Sequence, residues 1–77
     1  MNLDLDRIDD AVLALLQLGL HDHVRAWKGF DWDALDRLHE TGMIGNPRSK
    51  AKSVVLTDEG LRRSRELLEA MFGKQAR

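Results

Sequence analysis

Three stretches of this chain carry apolar residues at helical spacing, and each has a capping side chain in front and a glycine behind. That punctuation limits the chain to a mainly helical fold with short connections. Leu5, Ile8, Val12, Leu15 and Leu16, widened by Ala11 and Leu18, predict an amphipathic helix from about Asp6 to Leu18. Asp6 reads as its N-cap, Asp9 and Asp10 lie in the first turn where the helix dipole favours carboxylates, and Gly19 takes the left-handed position after the last turn. Leu13 falls among the polar residues Asp6, Asp10 and Gln17, so it meets either another element or a second subunit.

Leu20, Val24 and Trp27 recur at spacings of four and three, which predicts one or two helical turns within His21 to Lys28 before Gly29. Asp31 then caps a helix from Trp32 to Thr41 that Gly42 ends, with Phe30 stapled onto Leu35. Trp32, Ala34, Leu35 and Leu38 form its buried stripe; Asp33, Asp36, Arg37 and Glu40 face outward. Met43 and Ile44 precede Gly45, Asn46 and Pro47, a turn-forming cluster, and Ser53 to Leu56 reads as a strand. A two-stranded hairpin follows, its loop spanning about Gly45 to Ala51. Thr57 caps a last helix with Asp58 and Glu59 in its first turn and Leu56 stapled to Leu61. Leu61, Ser64, Leu67, Leu68, Met71 and Phe72 make its inner face, Gly73 ends it, and Lys74 to Arg77 is expected to fray. Trp27, Phe30 and Trp32, three of the four aromatics, are expected in the core where the short helix meets the next one.

Seventy-seven residues, 43% apolar and 32% charged, suit one small domain spanning 1–77 and exclude a disordered tail. No apolar run approaches the roughly 18 residues of a membrane span, and the acids Asp4, Asp6, Asp9 and Asp10 have the wrong sign for a secretion signal, so the expected location is cytoplasmic. With no cysteine, stability rests on packing. Net charge is −1, but residues 1–40 carry nine acids against four Lys or Arg, and residues 41–77 carry four against eight. One side is acidic and the other basic, an asymmetry that bears on partner choice and on head-to-tail association.

The stretch from Leu35 to Leu68, LDRLHETGMIGNPRSKAKSVVLTDEGLRRSRELL, resembles the recognition-helix, wing and following-helix segment of MarR-type transcription regulators. The resemblance is carried by a helix-ending Gly42, the apolar pair Met43 and Ile44, basic residues from Arg48 to Lys52, and the turn from Leu56 to Gly60. It covers about half the chain and implies an α+β, mainly helical winged helix-turn-helix domain with three or four helices and one two-stranded β-hairpin as the wing. The whole chain, above all RAWKGFDWDALDRLHE from Arg25 to Glu40, also resembles a small family of uncharacterised bacterial proteins, which implies no activity.

The MarR resemblance implies that Asp33, Asp36, Arg37 and Glu40 face the DNA groove and that Arg48, Lys50 and Lys52 lie on the wing; in the sequence, Arg62, Arg63 and Arg65 add positive charge just after it. Two readings follow. Arg37, Arg48, Lys50, Lys52, Arg62 and Arg63 would bind double-stranded DNA through phosphates. Alternatively Trp32, Asp33, Asp36 and Glu40 would meet a basic protein, since phosphates repel carboxylates. Spacing of i to i+4 also pairs Arg62 with Glu66 and Arg65 with Glu69 as plain surface support. His21 and His23 are two apart, a spacing unsuited to a helical metal pair, and no nucleophile elbow or phosphate loop is present, so neither a metal, a cofactor nor an enzymatic activity is expected. A chain this small also gains from association, and a homodimer is an expectation on that ground.

Overall fold

The computed structural model describes residues 1–74 and contains, in chain order, α1 (Leu5–Leu18), β1 (Arg25–Trp27), α2 (Trp32–Glu40), β2 (Ser53–Val55) and α3 (Asp58–Phe72). Residues 75–77, the greater part of the tail expected to fray, lie outside the described residues. The fold is α+β and mainly helical, with three helices and a two-stranded antiparallel sheet.

Local chemistry accounts for the helix ends. The N-cap of α1 is Asp4 rather than Asp6: its carboxylate accepts from the Arg7 N–H, which places Asp6 inside the first turn. Asp31 and Thr57 cap α2 and α3 as the sequence predicts, accepting from Ala34 and Gly60. At the end of α2, Gly42 has φ 81°, the left-handed conformation that glycine adopts without penalty. Its N–H donates to His39 O and the Met43 N–H to Leu38 O, closing a Schellman turn. Gly19 is not left-handed; with φ −90° it simply donates back to Leu16 O.

The stretch expected as a short helix, His21 to Lys28, is instead a tight turn leading into β1. Asp22 makes this turn: its carboxylate accepts from the backbone N–H groups of Val24 and Arg25, and the His21 N–H donates to Arg25 O. β1 then pairs with β2 in the register Arg25 with Val55, Ala26 with Val54 and Trp27 with Ser53. The loop after α2 is closed at its base by an antiparallel bridge between Ile44 and Leu56. The ladder that β2 forms is with β1, and α2 lies between the two strands in the chain.

One core joins these elements: Val12, Leu13, Ala14 and Leu16 of α1, Ala26 and Val54 of the sheet, Ala34, Leu35 and Leu38 of α2, Ile44 and Leu56, and Leu67 of α3. Leu13 is therefore explained by contact within the chain. Ser64 is fully buried, and its hydroxyl reaches Gln17 Oε1 at 2.7 Å, tying α3 to α1 across 47 residues. The closest approach is at Gly60, where a Cβ would stand 1.8 Å from Met43 O. The start of α3 lies on the backbone of residues 42–43, held by Thr57, whose hydroxyl is 2.6 Å from Gly42 O and whose N–H donates to Met43 O.

Two expected core groups are not core. Trp27 is 56% exposed and Trp32 44% exposed, because alternate positions of β1 point outward and α2 buries only Ala34, Leu35 and Leu38; Phe30 alone of the cluster packs against the core. Met71 and Phe72 belong to a last turn of α3 that extends beyond the core, leaving Phe72 54% exposed.

Candidate binding surfaces

Trp32 opens α2 beside the loop of residues 45–52, and two cations flank its ring. The Arg48 guanidinium lies 4.9 Å from the ring centroid and the Lys28 ammonium 5.4 Å from it. Both cations also anchor the loop. Lys28 Nζ donates to Pro47 O at 2.7 Å and Ser49 O at 2.8 Å, while Arg48 forms a two-pronged pair with Asp36, its shorter arm 2.6 Å. The guanidinium of Arg48 lowers the Asp36 carboxyl below its ordinary range, and Asp36 raises Arg48 in return. The loop is thus folded against α2 instead of standing free as a wing.

Arg37 is spoken for as well. Its guanidinium forks onto Asp9 of α1 at 2.7 and 2.8 Å, with Asp33 and Asp31 adding to the negative field that raises its pKa. Arg62 binds Glu59 and Glu66 on its own helix, the second at 2.8 Å, which is the i to i+4 pair expected from the sequence. Arg65 and Glu69, also expected to pair, do not do so. Arg63 lines a cleft of about 230 Å³ whose floor holds Leu13, Leu38 and Met43 and whose rim holds Asp6, Asp9 and Asp10. Lys50 and Lys52 are exposed and have no ion pair among the described residues.

The residues expected to bind DNA therefore do not form one basic surface. Arg37, Arg48 and Arg62 are held by carboxylates of the chain itself, Arg63 borders acids, and only Lys50 and Lys52 present free charge on the loop. The residues expected to meet a protein are closer together: Trp32, Asp33, Asp36 and Glu40 all lie on α2, with Asp33 and Glu40 exposed and Asp36 committed to Arg48. Sequence spacing missed Lys28 and Asp9, whose partners are 19 and 28 residues away, and no local pattern marks them. Asp22, the turn-former before β1, is held at about 2 by the amides of Val24 and Arg25. Among the described residues no cluster of three His, Asp or Glu is arranged to hold a metal, and no helix is long and apolar enough to cross a membrane.

The chain thus folds as a small α+β unit with an acid-bearing middle helix and a closed loop after it. Residues 4–74 match the family described as Domain of unknown function (DUF6429), and the chain belongs to it. It is 64% identical over 72 residues to the "Uncharacterized protein y4hR" of Sinorhizobium fredii (strain NBRC 101917 / NGR234), a match covering 94% of this chain and 97% of that protein. No solved structure matches it.

Proposed function

We propose that this chain is a non-enzymatic binding module on a winged-helix-like frame, and that the outer face of α2 receives a basic segment of another protein. The order helix, strand, helix, closed loop, strand, helix supports the frame. The observation that carries the partner is the fate of the arginines: Arg37 and Arg48 are neutralised by Asp9 and Asp36, so the face keeps Asp33 and Glu40 as its net charge. A phosphate backbone would be repelled there, whereas lysine or arginine side chains would be drawn in.

Fluorescence anisotropy with a labelled lysine-rich peptide tests this. Saturable, salt-sensitive binding is expected, weakened about tenfold or more by Asp33→Lys with Glu40→Lys, and unaffected by Lys50→Glu with Lys52→Glu. Equal binding by the α2 variant would reject the reading. The unpaired state of Lys50 and Lys52 favours a second reading, contact with duplex DNA through the loop. Saturable binding of mixed-sequence duplex, weakened by the two lysine substitutions and given a shallower salt dependence, would establish it in place of the first.

A further inference from the structure

A second apolar feature lies away from α2, where the ends of α1 and α3 meet. Leu18, Leu68 and Phe72 line a groove of about 450 Å³ together with Gly73, and Arg65 and Glu69 stand along it. Leu18, in the last turn of α1, is 70% exposed. On α3, Arg65, Leu68, Glu69 and Phe72 are spaced i, i+3, i+4 and i+7, so all four lie on one flank. Arg65 and Glu69 could pair with each other at this spacing, yet neither has an ion pair among the described residues.

We propose that this groove is the interface of a two-fold symmetric homodimer in which α3 packs antiparallel to the same helix of a second copy. A two-fold interface must be self-complementary, each residue meeting one that it would meet again on the other side of the axis. With the axis level with Leu67, Arg65 of each copy faces the partner's Glu69, and Leu68 lies beside the axis between the two ion pairs. Phe72 of each copy then lies level with the partner's Arg62, where the stem of that side chain covers it. The charges set the register and the apolar side chains supply the affinity, the usual division in such contacts.

Sedimentation equilibrium on the full chain provides the test. The wild type is expected to sediment at twice its chain mass at micromolar concentration, and Phe72→Asp as a monomer with unchanged circular dichroism. Arg65→Glu and Glu69→Arg are each expected to weaken self-association about tenfold, since each sets like charges face to face. Mixed in equal amounts, those two variants are expected to form a heterodimer about as tight as the wild-type homodimer, because every facing pair is then opposite in sign. A helix-stability effect would not be reversed by mixing. A wild type that stays monomeric at millimolar concentration would overturn the dimer and leave the groove to another protein; a mixture no tighter than its components would overturn the two-fold register. Neither result depends on what α2 binds.

Discussion

Gly60→Ala is expected to lower stability by about 3 kcal/mol or more, above the usual range for one added methyl group in a packed interior. The new Cβ would stand 1.8 Å from Met43 O, and the obstacle is backbone on both sides, so no side chain can turn away to relieve it. The start of α3 would have to retreat from residues 42–43. That motion breaks the Thr57 contacts to Gly42 O and Met43 O and loosens the Ile44 to Leu56 bridge next to them. A domain of 77 residues has about a quarter to three-quarters of its stability at stake, since native domains hold about 0.05–0.15 kcal/mol per residue. Thermal unfolding followed by circular dichroism should show a fall in Tm of about 12 °C or more at roughly 4 °C or more per kcal/mol. A melting curve like that of the wild type would mean that α3 does not lie on the Met43 carbonyl.

The second large effect is expected at Leu35. This side chain is fully buried on α2 at the centre of the cluster that α1, the sheet and α2 share. Leu35→Ala removes buried methyl groups and leaves a cavity, a change that costs about 2–5 kcal/mol in comparable cores. Leu35→Met keeps the volume and should cost less than about 1.5 kcal/mol. Urea denaturation of the pair measures the difference, and equal midpoints would place Leu35 outside the core.

Much of this was legible in the sequence because its causes are local. Thr57 and Asp31 cap helices through hydrogen bonds that reach three residues ahead, and Gly42 ends α2 through its own torsion; both kinds of signal can be read within one turn. The start of α1 is less legible, because two aspartates, Asp4 and Asp6, offer the same cap chemistry and periodicity does not choose between them; Asp4 takes the cap. At Arg25–Trp27 the sequence misleads, because Leu20, Val24 and Trp27 fit a helical stripe while the strand's partner lies 28 residues further on. The size of Trp32 points to the core, yet in the fold it lies beside two cations at the surface. The candidate site suffered most from this limit. Arg37 and Arg48 look like free binding groups until α1 brings Asp9 to the one and the folded loop brings the other to Asp36. By contrast the Arg62 to Glu66 pair, set by helix geometry alone, was visible at once.

On the proposed reading, the chain's own carboxylates withhold its arginines from DNA. It is tested most directly by measuring duplex affinity against salt concentration for the wild type and for Asp9→Asn with Asp36→Asn, which frees Arg37 and Arg48 without deleting them. The wild type is expected to show no saturable binding, and the variant to gain binding whose salt dependence reflects about two added phosphate contacts, a slope near −0.9 for each. Tight, strongly salt-dependent binding by the wild type, unchanged in the variant, would contradict it.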